Sequence, residues 1–204
     1  MNSMSKKKAY HHGDLRTALV QATLQLVSQR GPRGFSMTEA CRQAGVSATA
    51  VYRHFANKEA ILAEVARQGF DQLTVDLKNI LDSIPIDAYR RRLVETGLAY
   101  VAFAHTHPAH FQVMFGSGLD KEGHPDCQES GETALQILLD EVARAVAGGA
   151  MPQARASVAM TTLWATVHGL AMLDLDGIKS KKQEMLEFDV PACLEALVQG
   201  FCPN

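Results

Sequence analysis

The chain has 204 residues, 47% apolar and only 6% aromatic, which is enough apolar material for a sizeable core and favours helix over strand; no repeat or low-complexity tract is present. Its net charge of −2 is unevenly spread: residues 1–68 hold ten Lys/Arg against four Asp/Glu, and residues 69–204 hold ten against eighteen. A basic head at +6 on an acidic body at −8 points to a polyanion meeting the head and not the body.

In chain order, the first dozen residues read as a flexible basic arm. Asp14 is an expected N-cap, and Leu15, Ala18, Leu19, Ala22 and Leu26 form the stripe of an amphipathic helix. "RGPRG" ends it, with Gly31 suited to a left-handed cap and Pro32 blocking continuation. Ser36 and Glu39 make a capping-box pattern for a second helix, whose stripe is Met37, Ala40, Cys41 and Ala44 and whose stop is Gly45. Ser47 caps a short third helix on which Val51 and Phe55 lie one turn apart. Asn57 caps a long fourth, with Ile61, Leu62, Val65, Phe70, Leu73, Leu77 and Ile80/Leu81 on its apolar face. A fifth helix is expected from about 88 to 107, a helical turn through Phe111 and Met114, and long helices near 129–147 and 153–174. The polar run 176–184 is a loop, and a last helix lies near 190–201. The expected class is all-α.

The four cysteines (Cys41, Cys127, Cys193, Cys202) are scattered without framework spacing and read as reduced thiols of a cytoplasmic protein. The start has no apolar run of a secretory signal. Residues 156–173 carry no Asp, Glu, Lys or Arg, but Ser157, Thr161, Thr162, Thr166 and His168 make a buried helix the expectation rather than a membrane span.

On a helical wheel centred on Val51, Phe55 and Ala48 fall on the buried side, Thr49 and Arg53 fall opposite, and Tyr52 sits on the flank. The second and third helices, joined by "AGVS", have the size and turn of a helix-turn-helix. In that unit the N-terminal residues of the second helix, here Ser47, Ala48, Thr49 and Ala50, approach base edges. Tyr52, His54 and Lys58 can donate to phosphates. The plain alternative is an αα corner inside any helical protein. The basic head, the Lys6–Lys8 arm and the donors on the outward face favour the nucleic-acid reading.

"FSMTEACRQAGVSATAVYRHFANKEAIL" closely resembles the DNA-binding domain of TetR-type bacterial transcriptional regulators, over about residues 10–65. "YHHGDLR" ahead of the first helix is similar to a lead-in found in one branch of that family, and Trp164 with His168-Gly169 stands at a spacing seen in the same branch. The resemblance implies a small N-terminal head, about residues 1–60, on a larger helical domain, about 61–204. It further implies a homodimeric repressor that binds a palindromic operator and is released by a small-molecule effector. Pairing would run through the helices near 129–147 and 153–174, and no cofactor is implied. By position Ser36, Thr49, Tyr52, His54 and Lys58 take the family's DNA-contact roles, with Thr38, Ser47, Ala48, Arg53 and the lead-in residues Tyr10 and His11 beside them. Ala48 and Ala50 stand where longer polar side chains are common, and Thr38 where several relatives carry an arginine.

In the body, Phe103, Phe111, Met114, Trp164 and His168 are the expected effector-pocket residues; His168 serves equally as a core histidine and Gly169 as a close helix crossing. His105 and His107 diverge by about 200° on one helix, which argues against a metal site with His110. A small helical enzyme is the remaining class, but no nucleophile elbow, P-loop, HExxH or glycine-rich fingerprint is present. A helical module that has lost DNA binding is kept open by Ala48 and Ala50.

Overall fold

The computed structural model describes residues 12–116, 118–176 and 189–203, and the regular structure among them is helical. In order come α1 (His12–Arg30), α2 (Met37–Ala44), α3 (Ala48–Val51), α4 (Lys58–Asp82), α5 (Tyr89–Thr106), α6 (Pro108–Gly116), α7 (Pro125–Ala147), a 3-10 turn (Gln153–Arg155), α8 (Ala156–Leu175) and α9 (Val190–Phe201).

The stops and starts of the head follow local chemistry. Gly31 and Gly45 both sit in the left-handed region, at φ 73° and 67°, where a side chain would be strained. Ser36 Oγ accepts from the Glu39 N–H while the Glu39 carboxylate accepts from the Ser36 N–H, a complete capping box. Ser47 and Asn57 cap α3 and α4 in the same way, each accepting a backbone N–H three residues on. The expectation for Asp14 is corrected: α1 begins at His12, so Asp14 lies inside the first turn. The α7 helix starts earlier than its apolar pattern, because Pro125 at its first turn needs no hydrogen-bond acceptor there.

One apolar core runs from head to body. Leu19, Leu26, Ala40, Val51 and Phe55 of the head pack on Ile61, Val65 and Ala66 of α4, and the same helix continues with Phe70, Leu73 and Leu77 into Phe111 and Met114. The expected boundary near residue 60 therefore falls within the first turn of an unbroken 25-residue helix. A second cluster at the far end joins Leu93, Val142, Ala145, Leu163 and Val198. Arg92 of α5 ties that end together. Its Nε and Nη2 donate to Glu141 at 2.6 and 2.8 Å, and its Nη1 donates to the carbonyls of Leu81, in the last turn of α4, and Ile84, just beyond it.

α8 packs only one side. Ala159, Leu163, Val167 and Ala171 are buried, while Val158, Thr161, Trp164 and Ala165 are exposed. By length and composition the segment Gln153–Leu175 could cross a membrane, yet its apolar residues at this spacing bind it to α5 and α7.

Candidate nucleic-acid interface and effector cavity

The head presents a polar outer surface on a buried frame. Val51 and Phe55 are buried, as their wheel positions require, and the Phe55 N–H donates to the Val51 carbonyl at 2.9 Å. Ser36, Thr38, Ser47, Thr49, Tyr52 and Arg53 are all exposed, Tyr52 at 56%. Ala48 is exposed too, although the wheel puts it on Val51's side. A helix of four residues gives its first side chain no neighbouring element to cover it. Ala50 is half-buried against the core instead. Tyr10 and His11 lie outside the described residues.

Two of the expected contact residues, Lys58 and His54, are half-buried. Lys58 donates through Nζ to the Phe35 carbonyl at 2.7 Å and the Arg33 carbonyl at 3.4 Å, and Nζ stands 4.1 Å from the centre of the Phe35 ring. Burial holds its ammonium below the usual lysine range, with Glu39 opposing. Its third N–H is what remains for an outside acceptor. His54 is half-buried and lines a cleft with Arg16, Glu64 and His124, on the side of the head that faces the body.

The head's excess positive charge is partly spent inside. Arg16 and Arg67 both bind Glu64, and Arg30 binds Glu39. Burial would raise the Glu64 carboxyl, but hydrogen bonds from Arg67, Arg16 and Gln68 outweigh it and bring the pKa down to about 2. Among the described residues, Arg33, Arg42 and Arg53 make none of the ion pairs. Arg42, exposed on α2, is a cation of this surface that the wheel of α3 could not have found.

In the body, a cavity of about 260 Å³ opens between α4, α5, α7 and α8. Phe70, Leu73 and Leu77 of α4 form one wall, Gly97 and Tyr100 of α5 the floor, and Trp164 and Val167 of α8 another side. Of the residues expected here, Trp164 lines it. Phe103, Phe111 and Met114 do not: they are 1%, 0% and 1% exposed and belong to the packed core behind it. Helical periodicity cannot separate a buried residue beside a cavity from one beside another side chain. His168 stands behind Tyr100. The Tyr100 hydroxyl lies 2.9 Å from His168 Nδ1. Burial lowers the His168 pKa and raises the Tyr100 pKa, so both groups are held toward their neutral forms and share one hydrogen bond.

Sequence reasoning missed Phe70, Tyr100 and Lys121 as cavity residues. Lys121 comes from the loop before α7, where a lysine among Asp120 and Glu122 looks like ordinary solvated charge. Its Nζ instead lies 5.0 and 5.3 Å from the ring centres of Phe70 and Phe115, and burial lowers its pKa. The three histidines separate: His105 pairs with Asp174, while the rings of His107 and His110 meet edge to face at 5.8 Å.

A further groove lies between α7 and α8, lined by Leu139, Ala143 and Val146 from one and Ala156, Ser157 and Met160 from the other.

Comparison with known proteins agrees with this layout. Residues 19–65 match the model of bacterial regulatory proteins, tetR family, and residues 93–201 match that of the tetracyclin repressor-like C-terminal domain. The chain is 32% identical over 78 residues to the HTH-type transcriptional regulator BetI of Vibrio vulnificus, and 31% over 75 residues to that of Vibrio campbellii. These alignments cover 38% and 37% of the chain and only 39% and 38% of the two regulators. Among solved structures, a Rhodococcus sp. RHA1 protein of unknown function is similar over 96% of this chain and 100% of its own, with a TM-score of 0.80 and 28% identity. The regulator FadR of Bacillus subtilis, solved with stearoyl-CoA, shares the fold at a TM-score of 0.69 and 15% identity, over 90% of this chain and 95% of its own.

Proposed function

This chain belongs to the TetR family of bacterial regulatory proteins, and from that premise we propose that it is a homodimeric transcriptional repressor released from a palindromic operator by a small-molecule effector. The observation that carries the reading is the division of α3 and its flanks. Val51 and Phe55 anchor the unit in the core, while Ser36, Thr38, Ser47, Ala48, Thr49, Tyr52 and Arg53 are exposed. Thr49 reads base edges, Ser36, Tyr52 and Arg53 hold phosphates, and Lys58 offers its one remaining N–H while bracing Phe35. With Ala48 and Ala50 so short, close approach of the backbone and the shape of the duplex carry part of the recognition.

The helix α4 supplies the connection between the two sites. Its first turns hold the head through Ile61, Glu64 and Val65, and its middle turns form a wall of the cavity through Phe70, Leu73 and Leu77. An occupant of the cavity presses on the same rigid element that positions α1 and α3, so effector and operator compete for its placement. Two copies pair through the apolar groove of α7 and α8 and the exposed face of Val158 and Ala165. This accounts for an α8 that carries no charge from 156 to 173.

Selection of bound sequences from a random duplex pool tests this. The expected product is a palindrome whose half-sites are about one helical turn apart, bound with an affinity that falls steeply with salt. Recovery of no enriched sequence, with duplex affinity no better than for random DNA, would overturn it.

A further inference from the structure

The cavity is almost entirely apolar, and its polar groups are unequal. Thr96 Oγ1 is spent on the Arg92 carbonyl at 2.8 Å, and the Tyr100 hydroxyl on His168. At the rim, Gln128 Nε2 donates to Glu132 Oε1 at 2.8 Å, so that carboxylate already has a donor. Lys121 differs. It lines the same space, is half-buried, rests against the faces of Phe70 and Phe115, and makes none of the ion pairs among the described residues. A cation partly withdrawn from water against aromatic faces, beside the Cys127 thiol and with no carboxylate paired to it among the described residues, gains from an anion that arrives with the ligand.

Size and charge narrow the occupant. A dry cavity near 150 Å³ takes a benzene ring, so the 260 Å³ here suits about ten non-hydrogen atoms. One ammonium balances one negative charge, and Glu132 at the rim repels a second. We propose that the cavity binds a small amphipathic monocarboxylate, its carboxylate on Lys121 and its acyl or aryl body between Phe70, Leu73, Leu138 and Trp164. The inference rests on the effector reading above and names the chemical class of the effector.

Trp164 is the only tryptophan in the chain and lines the cavity, so its emission reports binding directly. The probes are octanoate and 3-phenylpropionate, each with the alcohol of the same skeleton and octylamine as the opposite charge. At least one acid should shift Trp164 emission saturably, at least tenfold tighter than its alcohol and than octylamine. Lys121→Met should remove that tenfold advantage while the alcohol still binds, which shows the variant cavity intact. Alcohols binding as tightly as acids, octylamine binding best, neither acid saturating, or Lys121→Met keeping the preference would each overturn the proposal. No DNA is present in this assay. A chain that selects a palindrome but ignores the acids loses only the ligand assignment, and one that binds an acid but selects no sequence loses only the regulator reading.

Discussion

Arg16 on α1 donates to Glu64 on α4 at 2.6 Å, and the Glu64 side chain is only 6% exposed. The pair links the first helix of the head to the helix that also walls the cavity, and Arg67 and Gln68 complete the carboxylate's shell. Glu64→Gln should cost about 1–3 kcal/mol in urea unfolding, the worth of hydrogen bonds to a charged group, and raise amide exchange in α1 more than in α8. Because the folded carboxyl titrates at about 2 against an ordinary 4.5, its contribution is complete above about pH 4.5 and drains away as pH falls toward 2. An unchanged acid limb in Glu64→Gln would falsify this assignment.

Tyr52→Ala and Arg53→Ala should weaken duplex binding on every sequence while leaving thermal stability in place, since both residues are exposed. Thr49→Ala should relax preference at one position per half-site, at about 1–3 kcal/mol. Lys58→Ala should lower both the melting temperature and the affinity, because it also removes the bonds to the Phe35 and Arg33 carbonyls. Binding isotherms beside thermal melts separate the two groups, and a Lys58→Ala protein that melts like the parent contradicts its bracing role.

Arg92 and Glu141 are 6% and 4% exposed, with both guanidinium edges engaged. Arg92→Met leaves the buried Glu141 carboxylate with only Arg144 near it and the Leu81 and Ile84 carbonyls without their donor, an expected loss of about 3–5 kcal/mol. Arg92→Met with Glu141→Leu should recover much of it, since an apolar pair of similar size escapes the desolvation of two charges. A double variant no more stable than the single one would show that the carbonyl bonds dominate.

His110 and His168 both have pKa values lowered by burial, His107 adding to the effect at His110 and Lys121 at His168. The unfolded chain therefore takes up protons that the folded chain refuses, and stability should fall as pH drops below about 6.5. His168→Gln, which keeps a hydrogen-bonding partner for Tyr100, should flatten that slope between pH 6.5 and 5. A slope unaltered in both His168→Gln and His110→Gln places the titration elsewhere.

Ala165 is exposed on the uncovered side of α8. Ala165→Arg should halve the mass seen by light scattering at micromolar concentration and leave the helical circular dichroism unchanged. A parent chain already of single-chain mass removes the pairing proposal.

Much of the head was legible in the residues. Ser36 with Glu39, Ser47, Asn57, Gly31 and Gly45 act within one turn, so these helix ends, unlike the start of α1, could be placed from neighbours three or four positions away. The inward pair Val51 and Phe55 followed from period alone, and so did the stripe from Ile61 to Leu81. Where locality failed, so did the reading. Ala48 faces outward because α3 is one turn long, and Lys58 turns inward because Phe35, 23 residues earlier, offers it a carbonyl.

The cavity belongs wholly to the second kind. Phe103, Phe111 and Met114 are as apolar and as periodic as Phe70 and Leu73, and only the crossing of α4, α5 and α6 decides which of them meets empty space. Tyr100 finds His168 across 68 residues, and Lys121 reaches Phe70 and Phe115 from a loop. The amino-acid sequence by itself determined the helices, most of their ends in the head, the buried frame of the head and the family. Tertiary structure alone decided which cations are spent on Glu64 and Glu39, which lysine faces an apolar cavity, and which helix joins that cavity to the head. Capping and periodicity are properties of neighbouring residues, whereas a void and an ion pair exist only once distant helices have been brought together.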